Sequence, residues 1–448
     1  MDIKNVKGTH DIILGEAKIY EHIETTMRAF AEVFNFSEFR TPIIEPNELF
    51  VRGVGESSDV VRKEMYTFFD KGNRLLALRP EFTASIVRSF INNKLYATRD
   101  LPVKTYYLGP VFRYERPQSG RYRQFHQFGV ESLGVKNVLS DVETAILGYV
   151  ILSALGLENV TLKINTLGDK ASRDNYRQAL KDYFAPKLEK MCDDCKVRYD
   201  VNPLRILDCK VPEDHALVLK APKIEDYLSK ETKDKFYEVV DILKETDVPF
   251  EIDSTLVRGL DYYSEFVYEY HYTSKKGVDY GALGAGGHYD DLIEELGGPR
   301  LSGVGFSFGI ERIYAVLKDD GIFQDHKEAI DLYVMPLDEE ARESAFYLAN
   351  VLRTAGYKTE INLSDTKIGA MFKKAEKIGA KFALIIGENE INNKTVILKD
   401  LKTKEQEEVD LKVLLEKIDK NFGENSECSC HHQDEEGSCH CHHDDEGE

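Results

Sequence analysis

The sequence contains no tryptophan, and none of its apolar runs approaches the ~18 residues that a membrane-spanning helix needs. That excludes a helical membrane protein. The opening MDIKNVKGTHDIILGEAKIYEH lacks the apolar core of a signal peptide, so the expected location is the cytoplasm. Cysteine is scarce and unevenly placed: of seven, three lie between Cys192 and Cys209 and four in the last 21 residues. This is not the layout of a secreted disulfide framework, and an odd count argues further against one. Positive charge is in deficit, with 59 Lys and Arg against 79 Asp and Glu and a formal net charge of -20. Nine of those acids, and no Lys or Arg, fall in residues 424–448, so the rest of the chain carries -11. A body of that sign argues against indiscriminate phosphate binding, although local basic patches could still hold a nucleic acid.

Within 448 residues, 42% of them hydrophobic, there is room for two or three domains. Ile19, Ile23, Met27, Phe30, Ala31 and Phe34 recur at three- and four-residue spacing, which predicts an amphipathic helix over 16–35. Residues 103–115 and 123–132 alternate and are rich in aromatic and β-branched side chains, so they predict a hairpin with RPQSG in its loop. A helix is expected over 140–157 and a strand over 159–166. Residues 169–245 turn charged and mostly helical between two strand-rich regions, as an inserted domain would. Strands resume over 249–272, followed by the glycine-rich GALGAGGHYDDL and a strand-to-helix transition in SGVGFSFGIERIYAVL. From residue 329 strands and helices alternate, which predicts a small α/β domain with a largely parallel sheet, separated from the rest near 320–328. Residues 424–448 cannot bury a core and are expected to be disordered.

The stretch FRYERPQSGRYRQFHQFGVE crowds Arg113, Arg116, Arg121 and Arg123 around one turn of an acidic protein. Guanidinium forks bind phosphate oxygens two at a time. Along the second strand, Phe125, Gln127, Gly129 and Glu131 share one face, and His126, Phe128 and Val130 the other. A flat ring, an amide, bare backbone and a carboxylate suit a flat aromatic ligand beside a small polar one. Glu115 could accept from an exocyclic amine. A solvated arginine loop that balances local charge is the bland alternative. RPEFT adds Glu81 and Thr83, two apart and so on one face of a strand. GVGFSFGIERI places Arg312 in the first turn of a helix, and VRGLDYYSEFVYEY opens on Arg258.

In this order the motifs are specific. TPIIEPNELF with GESSDVVRKEMYTF, then FRYERPQSGRYRQFHQFGVE, then GFSFGIERI resemble the three motifs of class II aminoacyl-tRNA synthetases, with Pro42 as the proline of the first. LVRGLDYY and GAGGHYDDL are similar to segments of the histidyl-tRNA synthetase family, and the resemblance runs from about residue 5 to 420. It implies an α+β class II catalytic core, an antiparallel sheet flanked by helices, in parts 1–168 and 246–325. The inserted helical domain would be 169–245, and a C-terminal α/β anticodon-binding domain would occupy 329–421. It implies a homodimer joined through residues 41–60, and substrates L-histidine, ATP carrying Mg2+, and tRNA(His), with no membrane partner.

The resemblance also implies roles. Arg113 would hold the α-phosphate and the amino-acid carboxylate, and Arg121 and Arg312 the outer phosphates. Phe125 would stack on adenine with Arg312 over its other face, and Glu115 would read the amino group. Arg258 would contact the α-phosphate where other class II enzymes place a metal ion. Glu81 and Thr83 would bind the α-amino group with Gln127 nearby. Glu131 and Tyr263 would pair with the imidazole nitrogens in a pocket lined by Tyr262 and Tyr289. One departure stands out: the family's Gly-Gly-Arg-Tyr-Asp-Gly reads GGHYDD here, with His288 for an arginine and Asp291 for a glycine. Lys367, Lys373, Lys374, Lys377 and Lys381 would offer RNA phosphates a basic patch.

The cysteines pose two separate questions. Cys192 and Cys195 have the spacing of half a zinc site, with Cys209 and His215 as further donors. The second pair is not in compact motif form, and packed thiols are the preferred reading. In the tail, ECSCHHQDEEG and SCHCHHDDEGE form a near-repeat of period eleven. Cys428, Cys430, His431, His432, Cys439, His440, Cys441, His442 and His443 make it a chelating composition for zinc or nickel. No catalytic metal site is expected, and deleting the tail is expected to leave aminoacylation unchanged. Three other readings compete with histidine–tRNA ligation. A catalytically silent, histidine-binding regulatory paralogue would lack LVRGLDYY and the anticodon domain. LVRGLDYY and Glu131 speak against a ligase for threonine, proline or glycine, and a pure tRNA- or metal-binding module leaves the nucleotide constellation unexplained.

Overall fold

The computed structural model describes residues 3–55, 58–117, 120–322, 330–364 and 367–423. The tail residues singled out above therefore lie outside the described residues. The chain divides into two compact units, Met1–Gln324 and Asp325–Glu448. Among the described residues, no helix is long and apolar enough to cross a membrane.

An eight-stranded sheet organises the first unit. Its order is Ser37–Glu38, Val103–Phe112, Gln124–Leu133, Gly303–Gly309, Asp279–Tyr289, Ser264–Thr273, Val160–Thr166 and Phe250–Ile252. The two outermost pairings are parallel and the five between them antiparallel. The expected hairpin is therefore the pair Val103–Phe112 and Gln124–Leu133, with Val111 opposite Phe125 and Thr105 opposite Glu131.

Period-two alternation gives the sheet two different faces. On one, Tyr106, Phe128, Val130, Tyr268, Tyr270, Phe306 and Phe308 are buried under the helices Gly15–Val33, Val138–Ala154, Lys230–Lys244 and Ile310–Asp319. Helix Gly15–Val33 follows the expected spacing: Ile23, Met27 and Ala31 are fully buried, and Tyr20 joins them. Large-against-small pairs shape the other face. Tyr107 sits opposite Gly129 and Tyr289 opposite Gly303. Phenol rings can then lie flat over bare backbone instead of meeting a neighbouring side chain. A Cβ added at Gly129 would come within 2.3 Å of the Tyr107 hydroxyl.

Residues 169–245 fall inside the first unit. They form helices Lys170–Phe184, Asp193–Val201, Pro212–Val218 and Lys230–Lys244 joined by short 3-10 turns. Tyr176, Leu180, Phe184, Cys195, Ile206 and Cys209 pack in one cluster with Tyr107, Tyr262, Tyr263 and Tyr289. The helical segment thus shares its core with the second face of the sheet, and Phe236, Val239 and Leu243 of its last helix share the first.

The second unit has a five-stranded sheet, in the order Thr359–Ile361, Leu332–Pro336, Phe382–Ile386, Thr395–Asp400, Gln406–Asp410. Only the first two pairings are parallel; the last two are antiparallel. The largely parallel sheet expected from the alternating pattern is thus corrected to a mixed one. The physical reason is short connections: only five residues join the last two strands, enough for a hairpin and too few for a parallel crossover. A further short helix, Glu388–Asn393, was not anticipated.

Candidate active site

The second face of the large sheet floors a cleft of about 470 Å³. Arg113, Glu115, Arg121, Phe125, Gln127, Glu131, Arg258, Tyr262, Tyr263 and Arg312 all line it, as do Glu81 and Thr83. Tyr289 is buried beneath, where its hydroxyl donates to Glu131 Oε2 at 2.8 Å. The residues expected to bind histidine and ATP therefore converge on one place. Ala282, Gly284, Ala285, Ser307 and Gly309 provide floor with little or no side chain.

At the closed end, Glu131 is 2% exposed and surrounded by hydroxyls. Thr83 Oγ1 donates to Oε1 at 2.7 Å, and the Tyr107 hydroxyl reaches the same oxygen at 3.3 Å. Burial pushes the Glu131 carboxyl up to about 8, and the hydroxyl donors only partly counter it. Gly305, opposite Glu131 across the strand pair, leaves that carboxylate its space; a Cβ there would lie 2.0 Å from Oε2. Gln127 Oε1 and Arg258 Nε are buried with no hydrogen-bond partner among the described residues. Buried polar groups are seldom left so, and both are well placed for a ligand to satisfy.

The strand expected for RPEFT is corrected. Thr83 opens the helix Thr83–Asn92, and the Glu81 carboxylate accepts from the backbone of Thr83 at 2.6 Å and of Ala84 at 2.9 Å. Glu81 thus satisfies two of the free N–H groups at a helix start, where negative charge is favoured. The period-two inference failed because two carboxylate bonds to the following backbone stabilise a turn that a strand cannot make. Glu81 still faces the cleft, and burial raises its carboxyl above the ordinary range.

At the polar end the cations are spread around the walls. Arg113 Nε donates to Pro80 O at 2.8 Å and its guanidinium lies 5.4 Å from the Phe125 ring centre. Arg312 Nη2 donates to Tyr280 O at 2.6 Å. Burial lowers its readiness to hold a proton, and the nearby charge of Arg121 adds to that. Arg121 lies 3.7 Å from Glu115. Of the remaining two hairpin arginines, Arg123 packs over the Tyr114 ring at 3.7 Å and Arg116 is exposed; neither lines the cleft.

Sequence reasoning missed Glu269, Glu311 and Tyr107 as supports, and singled out His288 without assigning its partners. Glu269 pairs with Arg258 at 2.6 Å, from the same sheet face as Ala285. Burial disfavours the Arg258 charge, and Glu269 outweighs it, so the guanidinium stays protonated. Glu311 accepts from the backbone and ring of His126, both at 2.9 Å, which locks the helix bearing Arg312 to the hairpin. His288, in place of the family's arginine, is 1% exposed and bridges Asp141 at 2.8 Å and Asp290 at 3.1 Å. Its imidazole spans both carboxylates as a planar cation would. Only Tyr107, whose alternation with Thr105 follows the strand, could have been found from the sequence pattern. The others are long-range pairings with no local signature.

Comparison with known proteins meets this geometry from the other side. A family model described as histidyl-tRNA synthetase matches residues 8–313, and one described as anticodon binding domain matches residues 331–421. The histidine–tRNA ligase of Lactiplantibacillus plantarum is 45% identical over 411 residues, covering 91% of this chain and 96% of its own length. That of Anoxybacillus flavithermus is 45% identical over 414 residues, covering 92% and 97%. Among solved structures, apo S. aureus histidyl-tRNA synthetase superposes with a TM-score of 0.79 at 36% identity, covering 93% of this chain and all of that one. A Bacillus halodurans structure described as an ATP phosphoribosyltransferase regulatory subunit/histidyl-tRNA synthetase, at 20% identity and a TM-score of 0.61, shares the fold. A class II sheet, a buried carboxylate ringed by hydroxyls at the end of an arginine-walled cleft, and matches over nearly the whole length lead to one assignment: the chain belongs to the histidyl-tRNA synthetase family.

Proposed function

We propose that this chain is a histidine–tRNA ligase whose cleft carries out both steps of the reaction. Histidine attacks ATP to give histidyl-adenylate and pyrophosphate, and the histidyl group then passes to the 3′ end of tRNA(His). The observation that carries this reading is the buried Glu131, held by Thr83, Tyr107 and Tyr289 at the closed end of a cleft whose open end is walled by Arg113, Arg121 and Arg312. An imidazole offers two nitrogens, and a site that pairs both rejects isosteres lacking them. Glu131 and Tyr263 are assigned to those nitrogens, Tyr262 and Tyr289 to the walls, and Glu81, Thr83 and Gln127 to the α-amino side. Arg113 and Arg258 would hold the carboxylate and α-phosphate, where charge builds as the oxygen–phosphorus bond forms. Phe125 and Arg312 would sandwich the adenine, read by Glu115, with Arg121 on the outer phosphates.

Magnesium would enter with ATP, bound to its outer phosphates. It is part of the substrate, and each residue role above concerns protein groups alone. The domain assignment at 169–245 and 329–421 is proposed on the same family likeness. Exposed Lys367, Lys373, Lys374 and Lys377, on or beside the helix Ile368–Lys377, would meet tRNA phosphates. Lys381 also pairs with Asp331 at 3.0 Å. A homodimer through residues 41–60 is supported by exposed Ile43 and Ile44, beside Phe68, Phe69 and Leu75 on the small sheet Ile44–Pro46, Leu75–Leu78, Tyr66–Phe69. ATP–pyrophosphate exchange against a panel of amino acids tests the activity. Exchange driven by histidine alone is expected; exchange with none of them, or equally with another amino acid, would overturn it.

A further inference from the structure

Away from the cleft floor, the helical segment brings Cys192, Cys195, Cys209 and Asp214 together, with one donor atom from each within 4.8 Å of every other. Cys192 immediately precedes the helix Asp193–Val201, and Cys195 lies in its first turn. Cys209 follows the 3-10 turn Pro203–Asp208, and Asp214 is in the first turn of Pro212–Val218. The Sγ atoms of Cys192 and Cys209 are 3.9 Å apart, and Cys209 Sγ is 3.5 Å from Asp214 Oδ2. A tetrahedral ion with bonds of ~2.3 Å to sulfur and ~2.0 Å to oxygen spaces its ligands ~3.8 Å for sulfur–sulfur and ~3.5 Å for sulfur–oxygen. Both distances fit without rearrangement.

Charge points the same way. Asp214 is 2% exposed; among the described residues it accepts from the Cys192 backbone N–H at 3.0 Å and sits among the thiols of Cys192, Cys195 and Cys209. No Lys or Arg pairs with it there. A carboxylate buried without a cation is costly, and three thiols beside it are weak donors. A divalent ion gives the carboxylate a directly bound cation and draws the three thiols into the site as thiolates. His215, the fourth donor considered from spacing alone, lies outside the cluster. We propose that Cys192, Cys195, Cys209 and Asp214 form a structural zinc site. Three thiolates with one carboxylate oxygen in tetrahedral array suit zinc rather than the all-sulfur preference of copper(I) or the octahedral oxygen preference of magnesium. On binding, the thiol protons pass to solvent and no oxidation state changes.

The site lies where it can stiffen the cleft wall. Between Cys195 and Cys209, Arg205 donates to Gly259 O at 2.8 Å and pairs with Asp59 at 3.3 Å. Arg198 also pairs with Asp59, at 3.7 Å, and Asn202 donates to Asp261 at 3.0 Å. Zinc would clamp the helix Asp193–Val201 to the turn Pro203–Asp208, the stretch from which Asn202 and Arg205 reach Asp261 and Gly259 in the loop containing Arg258.

The test uses the full-length chain with the nine tail Cys and His residues replaced by Ser and Asn, so that the tail cannot supply metal. Purified protein should carry about one zinc per chain, the stoichiometry of one closed four-ligand site. The metal-free form should give the sulfur-to-cobalt charge-transfer and tetrahedral visible bands on adding cobalt(II). Equimolar zinc should abolish those bands and protect three thiols from a thiol reagent. Cys195→Ser with Cys209→Ser should lose zinc and spectrum together. If that variant does not fold, the parental cobalt spectrum decides alone. Absence of cobalt bands with three freely reacting thiols, or a Cys192–Cys209 disulfide in their place, would overturn the proposal.

Discussion

Glu131 is asked to do two things that conflict. A buried acid is a poor stabiliser, yet it is the group assigned to the imidazole. With its carboxyl raised to about 8 from an ordinary 4.5, the folded, empty protein binds more protons than the unfolded chain throughout that window. Its contribution to stability is therefore greatest below the ordinary value and is lost as pH rises towards 8. Glu131→Gln removes the titration and keeps the shape. The expected outcome is a higher melting temperature than wild type at pH 8–9, little difference at pH 5, and a fall in kcat/KM for histidine of ~100-fold or more. Calorimetry at both pH values and pyrophosphate exchange check it; a variant equally active towards histidine would remove Glu131 from the imidazole role. Arg258 separates binding from chemistry. If it acts on charge developing at the α-phosphate, Arg258→Ala should lower the exchange kcat by ~10²–10³-fold while shifting the histidine KM far less. A KM effect that dominates would make Arg258 a binding residue. Glu131 is legible because strand alternation fixes which side chains share a face; the motif arginines, in loops and at a helix start, were legible only through the crowding of guanidinium groups and the family resemblance. Glu269 and Glu311, which hold Arg258 and the helix of Arg312, come from distant strands and helices and carry no local pattern.

At the scale of elements, the sequence was read well where one periodicity ran uninterrupted. Helix Gly15–Val33 and the hairpin Val103–Phe112 with Gln124–Leu133 match their expected spans within a few residues. It misled where side chains bonded to backbone, as with Glu81 at the start of Thr83–Asn92, or where chain direction depended on connection length, as in the mixed sheet of the second unit. The substitution at His288 joins elements. Asp141, in the first turn of Val138–Ala154, and Asp290, just beyond Asp279–Tyr289, both bond its ring. Asp290 further gathers Lys136, Ser264 and Ser302. Burial opposes the imidazolium, and the two carboxylates outweigh it, raising His288 to about 10. The tie is thus fully effective below the ordinary histidine value of 6.5, weakens above it, and is lost as pH passes about 10. His288→Asn should destabilise the protein by about 3 kcal/mol at pH 6, as expected for one partner lost from a buried charged pair. The difference from wild type should shrink towards pH 10. Urea unfolding across that range measures it, and a pH-independent penalty would show that shape rather than charge matters at this position.

The whole molecule keeps its chemistry and its second unit on separate cores. The cleft draws every lining residue from before residue 313. The clusters around Leu332, Leu352 and Leu384, and around Met335 and Met371, contain only residues after 330. Among the described residues the first unit's core clusters contain only residues up to 322, so a chain ending there keeps the side chains that form them. The two steps of the reaction then come apart on physical grounds. Activation needs histidine and ATP, which the cleft can hold alone. Transfer needs tRNA, whose binding energy is shared between the acceptor end and whatever the second unit contacts, so that losing one site removes the gain in effective concentration that linkage gives. The truncated chain is expected to keep pyrophosphate exchange within about threefold of the full protein while aminoacylation of tRNA falls ~10²-fold or more, mostly through KM for tRNA. A truncation that charges tRNA as well as the full chain would remove the second unit from RNA recognition. One that folds, by its far-ultraviolet spectrum and melting, but no longer exchanges pyrophosphate would mean that the cleft depends on residues beyond 322.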